Sequence, residues 1–322
     1  MMGALVLRLK AARPDRRIAV LTPAHLDDVV SRLPGVDETI VNPFAHGSLK
    51  LGERAAFGRA LRLRFDEAYV LPHSWKSALV PWFAGIRRRI GFVGEARWGV
   101  LTDARPLDKA ALPRMVDRFA LLAEPRGARL PAETPTPRLA VSPAETAQAL
   151  ARLALSDQRP AVALCVGAEY GPAKRWPAMH FAALARRLAE AGYAAWAIGG
   201  PSDAPVGAEA AALAGGALAN LAGKTSLAEA MSLIAGAALV VSNDSGLMHV
   251  AAALGRPVVA IYGSTSPGFT PPLTSEADIL RLGLDCSPCF ERTCPLGHLK
   301  CLNDLTPDKV WETARARLAA RA

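Results

Sequence analysis

Apolar positions along this chain group into short runs set between longer, amphipathic stretches. The runs Arg17–Leu21, Glu38–Val41, Glu67–Leu71 and Arg89–Phe92 read as strands in the first half, and Ala161–Val166, Ala194–Gly199, Ala237–Val241 and Pro257–Tyr262 in the second. Helices are predicted over Met1–Arg13, His25–Leu33, Glu53–Arg64, Ser77–Phe83 and Pro113–Ala123. Further on they are predicted over Pro177–Ala191, Gly207–Ala214, Leu227–Ala235 and Pro307–Ala320. Strands alternating with helices predict parallel sheets covered by helices.

The alternation is broken once. Residues 125–143, PRGARLPAETPTPRLAVSP, are crowded with prolines, which bar regular structure and mark an interdomain linker. The expected organisation is therefore α/β, with two doubly wound Rossmann-like domains facing across a cleft, residues 1–135 and 136–322. The first domain opens directly on a helix, so its leading strand and glycine-rich turn are expected to be missing.

Charge narrows the partners. The 322 residues carry 38 Lys/Arg against 29 Asp/Glu, a net charge of +9. Residues 1–124 hold 20 basic against 13 acidic residues (+7), leaving 18 against 16 (+2) for the remainder. A basic first half fits a phosphorylated or carboxylated small substrate or an anionic membrane surface, with a plain solvated face as the alternative. Aromatic content of 6% and the lack of a nucleic-acid-binding motif argue against nucleic acid. No apolar run is long enough to span a bilayer, and Arg8 and Lys10 interrupt the first helix, unlike a signal peptide. A soluble, cytoplasmic chain is expected.

Two loops carry candidate chemistry. In SNDSGLMHVAAALGRPVVAIYGSTSP, residues 242–267, Asp244, Ser245 and Gly246 end a strand and begin a helix whose first turn bears Leu247 and His249. Ligands of parallel α/β sheets bind at the strands' carboxyl ends, and a helix N-terminus there offers unpaired N–H groups to a phosphate. Simple capping by Asp or Ser accounts for part of the pattern. In CVGAEYGPAKRWP, residues 165–177, Gly167 and Gly171 permit close backbone approach and Lys174 supplies a point charge for a pyrophosphate.

These segments carry a resemblance. GAEYGPAKRWP, NLAGKTSL, VSNDSGLMHVAAALGRPVVAIYGSTSPGFTPP and YVLPHSWKSALVPWFAGIRRRIGF are similar to the bacterial lipopolysaccharide heptosyltransferases, glycosyltransferase family 9. They are nearest the branch that adds the second heptose to the inner core. The resemblance implies a GT-B fold and inverting transfer from ADP-heptose to a lipid A-linked anionic acceptor, at the inner face of the inner membrane and without a cofactor. It implies that the C-terminal domain holds the donor, with Lys174 on its phosphate and Asp244 near the heptose hydroxyls, these two as the catalytic pair. Gly167, Ser245, Gly246, Leu247 and His249 complete the donor loops, and Leu221–Leu227 resembles the adenine-side wall. The family's general base is an aspartate in the turn after the first strand, which this numbering does not include. A donor-binding remnant without transfer, and a GT-B sugar-nucleotide epimerase, therefore stand as alternative readings.

Two smaller groups remain. In PHSWKSALVP, Ser74 and Lys76 begin a helix at a strand end and are candidates for acceptor phosphate or Kdo carboxylates; Arg87–Arg89 are either similar contacts or solvated surface. Cys286, Cys289, Cys294 and Cys301, with His298 among them, have the soft-ligand chemistry of a structural zinc site, with small buried hydrophobes as the alternative. Cys165, alone in a predicted buried strand, is read as core.

Overall fold

The computed structural model describes residues 1–45, 47–155 and 158–320. The chain forms two compact units, one of residues 1–27 and 34–135, the other of residues 28–33 and 136 onward. Among the described residues, no helix is long and apolar enough to cross a membrane.

The first unit holds β1 (Ala19–Thr22), β2 (Glu38–Val41), β3 (Glu67–Tyr69), β4 (Arg88–Phe92) and β5 (Asp103–Arg105). They form two all-parallel sheets, β1-β2 and β3-β4-β5. No ladder joins the two sheets among the described residues, yet they share their apolar support. Ile18 beside β1 and Tyr69 of β3 pack with Leu5, Leu9, Ile90 and Phe92. On the other side Ile40 of β2 and Ala68 of β3 pack with Phe44, Val80 and Ile86. The ion pairs Arg16–Glu67 (3.3 Å) and Arg64–Glu38 (2.6 Å) bridge the same seam.

The opening helix is real, Gly3–Ala12, and buries Leu5 and Leu9. The predicted helix at His25–Leu33 is instead a 3₁₀ turn, Ala24–Leu26, and one α turn, Asp27–Val30. Its end belongs to the second unit, where Val29 and Leu33 pack against an apolar cluster and Arg32 pairs with Glu145 at 2.6 Å.

The second unit contains β6 (Ala161–Cys165), β7 (Ala194–Ile198), β8 (Ala219–Asn220), β9 (Leu239–Asn243), β10 (Val258–Ile261) and β11 (Ala277–Leu280) in one parallel sheet. Their order is β11-β10-β9-β6-β7-β8. This is the doubly wound order, with the winding reversing between β6 and β9. Strands β6, β7, β9 and β10 are buried at every position, as helices on both faces require. Side chains alternate by face: Val162 and Leu164 join the layer of Phe181, Leu184 and Val310, while Ala161, Ala163 and Cys165 join Met231, Ile234 and Met248.

Local sequence explains the helix boundaries. Ser226 accepts the Glu229 amide at 3.2 Å while Glu229 accepts the Ser226 amide at 2.8 Å, a closed capping box before Leu227–Gly236. The same box at Ser142 and Glu145 starts a helix at Pro143–Arg152, which the proline-rich reading of 125–143 concealed. The Ser-Pro-Ala-Glu spacing was its signal. Pro177 caps the helix Ala178–Glu190 rather than occupying its first turn.

Candidate functional site

Three strand-end loops of the second unit meet on one carboxylate. The chain leaving β6 carries Lys174 in a single 3₁₀ turn, Pro172–Lys174, the chain leaving β9 carries Asp244, and the chain leaving β10 carries Thr265. The Lys174 ammonium and the Thr265 hydroxyl both donate to Asp244 Oδ2, each at 2.6 Å. Asp244 is buried, and the Lys174 side chain is 14% exposed. The loops after β6 and β9 flank the reversal of winding, where an open α/β sheet forms its ligand crevice.

Asn243 sets the spacing of these loops. Its amide donates to the carbonyls of Val166 and Gly167 at 3.0 and 3.2 Å and accepts the Trp176 backbone N–H at 3.0 Å. The end of β9 is thereby bracketed to both ends of the Lys174 loop. Trp176, fully buried, is fixed in turn by its indole N–H on Leu305 O at 2.7 Å. Sequence reading passed over Asn243 and Thr265 although both lie in the quoted motifs. Their chemistry is amide and hydroxyl bracketing, which a search for charges does not weigh.

Ser245 is the N-cap of the helix Gly246–Ala253, and its hydroxyl makes no capping bond; it lies 3.3 Å from the Ser242 hydroxyl. The first-turn amides, Gly246 and Leu247 among their bearers, sit beside Asp244. A side chain at Gly246 would meet nothing within 4 Å, so the approach to that backbone is open. His249 follows on the same turn. Burial pushes its imidazole down to about 4, leaving it neutral at physiological pH, and its Nδ1 has no hydrogen-bond partner among the described residues.

Gly167 has a nearer reason to be glycine than a ligand. A Cβ there would lie 2.0 Å from Asp203 Oδ2. That buried carboxylate accepts the Gly200 amide at 3.0 Å and faces Arg175 at 3.8 Å. Leu221, the first residue after β8, is a buried core residue.

The remaining candidates lie elsewhere. Ser74 and Lys76 are in the first unit, at the cap and first turn of a 3₁₀ turn, Trp75–Ala78. Arg97, fully buried, holds that segment by donating to Pro72 O at 2.7 Å and to Phe92 O, and Glu95 accepts the Trp75 amide at 2.7 Å. Of the arginine run, Arg89 turns inward onto the carbonyls of Ile86 and Val100 and Arg88 pairs with Glu67; neither is a free surface cation. Cys286, Cys289, Cys294 and Cys301 line one small cavity of the second unit, together with Ala173 and Ser264. All are free thiols, and among the described residues no three His, Cys, Asp or Glu side chains already converge on a metal position. The expected zinc site is thus not preassembled. Cys165 is wholly buried, and burial raises its thiol to about 12.

A doubly wound unit with a cation, a neutral imidazole and a helix N-terminus at its switch point has the makings of a phosphate-binding α/β domain of the GT-B type. Residues 54–300 match the profile of glycosyltransferase family 9 (heptosyltransferase). The chain is 45% identical to lipopolysaccharide heptosyltransferase 2 of Escherichia coli, over 99% of this chain and 94% of that one. It is 43% identical to lipooligosaccharide heptosyltransferase 2 of Haemophilus influenzae, over 99% and 95%. It superposes on the solved E. coli ADP-heptose LPS heptosyltransferase II with a TM-score of 0.89 and 42% identity, covering 99% and 95% of the two chains. The chain belongs to glycosyltransferase family 9, and it is an enzyme with the GT-B fold.

Proposed function

We propose that this enzyme transfers L-glycero-D-manno-heptose from ADP-heptose to the heptosyl-Kdo2-lipid A inner core of lipopolysaccharide, with inversion at the anomeric carbon. The observation that carries the reading is the Lys174–Asp244–Thr265 cluster beside an open helix N-terminus at the switch point of the second unit. Two close relatives named for this step lend it support.

In this reading the donor diphosphate replaces the Asp244 carboxylate as the partner of Lys174. The ammonium and the first-turn amides of Gly246–Ala253 then stabilise the charge that develops on departing ADP, so no metal or cofactor takes part in transfer. Neutral His249 approaches the diphosphate without competing for it, and Asp244, released from the lysine, faces the heptose hydroxyls. Gly167 and Asn243 hold the loop geometry. Ser74 and Lys76 bind anionic groups of the acceptor on the basic first unit, and the lipid-anchored acceptor draws the enzyme to the inner face of the inner membrane. The four clustered cysteines hold a structural zinc outside the chemistry.

The test is transfer by purified enzyme from ADP-heptose to heptosyl-Kdo2-lipid A, followed by mass spectrometry of the lipid product. The expected result is one added heptose, with Lys76→Ala raising the acceptor KM and leaving the ADP affinity unchanged. Equal or faster use of Kdo2-lipid A lacking heptose, or release of free heptose alone, refutes the assignment.

A further inference from the structure

Between β11 and the helix Lys300–Asn303 the chain runs from Arg281 to Leu299 with neither helix nor strand. Segments longer than about 12–15 residues without regular structure are uncommon in compact domains and need some other means of order. Three of the four clustered cysteines lie in this one. The fourth, Cys301, is on the helix that follows and packs against the main apolar cluster of the second unit.

The donor set suits a metal. All four thiols line one cavity. Gathering them on one ion takes a rearrangement around that cavity, since they do not already converge. Four soft thiolates in tetrahedral array favour Zn²⁺.

The same segment buttresses the Lys174 loop. Arg292 O accepts the Ala173 N–H at 3.0 Å, next to Lys174. Tyr170 donates its hydroxyl to Phe290 O, and two cations lie over its ring, Lys174 Nζ at 5.0 Å and the Arg292 guanidinium at 5.2 Å. The Phe290 N–H reaches Ser264 O at 2.7 Å and the Ser287 hydroxyl reaches Gly263 O at 2.6 Å, both in the loop that leads to Thr265. Gly171, at φ 155°, leaves room for Arg292 O, which a Cβ would meet at 2.5 Å.

We propose that Cys286, Cys289, Cys294 and Cys301 bind one Zn²⁺, and that this ion positions Lys174 by clamping the 287–292 stretch onto its loop, so that metal occupancy sets the affinity of the donor diphosphate site. The proposal rests on the reading of Lys174 as a diphosphate ligand. Arg292 and Tyr170 are the positioning residues that carry the coupling.

The experiment combines elemental analysis with calorimetric titration of ADP, on the full-length protein kept reduced. The expected results are about one zinc per chain, and an ADP affinity roughly 10-fold weaker in EDTA-stripped protein or in C289S/C294S, on the scale for loss of a metal site's supporting contacts. Returning Zn²⁺ to the stripped protein restores the affinity. Arg292→Ala keeps its zinc yet binds ADP more weakly, which separates positioning from metal-dependent folding should the cysteine variant unfold. Protein free of metal, or holding iron in place of zinc, overturns the metal assignment. Bound zinc whose removal leaves ADP affinity unchanged, while Lys174→Met weakens it, overturns the coupling alone. Unchanged ADP affinity in Lys174→Met overturns the donor-site reading beneath both.

Discussion

Lys174→Met and Asp244→Asn, singly and together, separate what the buried ion pair does for stability from what it does for binding. The charged atoms lie 2.6 Å apart, with Asp244 buried and Lys174 nearly so. Removing one partner of a buried pair costs about 3–5 kcal/mol because the other charge is stranded. Thr265 keeps its 2.6 Å bond to Asp244 Oδ2, so Lys174→Met is expected at the lower end, about 3 kcal/mol. The double variant strands no charge and recovers most of that loss, so its cost falls below the sum of the two single costs by about 3 kcal/mol or more, well above additivity error. Binding behaves differently. Lys174→Met loses a charged contact to the diphosphate and weakens ADP by about 1.5–3 kcal/mol. Asp244→Asn removes the carboxylate that competes for Lys174 and tightens ADP. The double variant is then stable but binds ADP poorly. Denaturant unfolding and calorimetric titration of the four proteins read both quantities. If Asp244→Asn weakens ADP as much as Lys174→Met does, the carboxylate is a ligand of the diphosphate assembly and the exchange of partners described above is wrong.

Two further outcomes are expected. Gly167→Ala destabilises by about 1–3 kcal/mol through overpacking on Asp203, whose carboxylate oxygen lies 2.0 Å from the added carbon; thermal unfolding in which G167A/D203A is strictly additive would rule out that contact as the cause. His249 has a folded pKa of about 4 against about 6.5 when unfolded, so the unfolded chain takes up a proton first as pH falls. The contribution of its neutral form is complete above pH 6.5 and is lost between about 6.5 and 4, by up to about 3 kcal/mol at about 1.4 kcal/mol per unit. A folded-state signal assigned to His249 that titrates near 6.5 contradicts this.

The α/β class, the order of most elements and the loops that bear the chemistry are legible in the residue pattern. Continuous apolar runs such as Ala161–Cys165 and Leu239–Asn243 can be satisfied only in a sheet covered on both faces, and that constraint is local enough to read. So too are capping boxes, although the one at Ser142 was hidden by neighbouring prolines. Strands β5, β8 and β11 escaped because they are short, two to four residues, and only partly buried. Their pairing rests on neighbouring strands, not on their own pattern.

Which of these loops meet is settled by the fold. Lys174 and Asp244 stand 70 residues apart, and the shared oxygen that also takes the Thr265 hydroxyl follows from strand order, which places β6 beside β9 and β9 beside β10. Gly167 was legible as a permissive turn residue, but the Asp203 carboxylate that excludes a side chain comes from the end of another strand. The parting of the first unit into two sheets, the capture of residues 28–33 by the second unit, and the contact of the cysteine segment with the Lys174 loop are likewise non-local. Hydrophobic period and capping act over a few residues, so the chain writes them plainly. A contact between distant loops depends on the sheet that carries both, and it has no local signature to read.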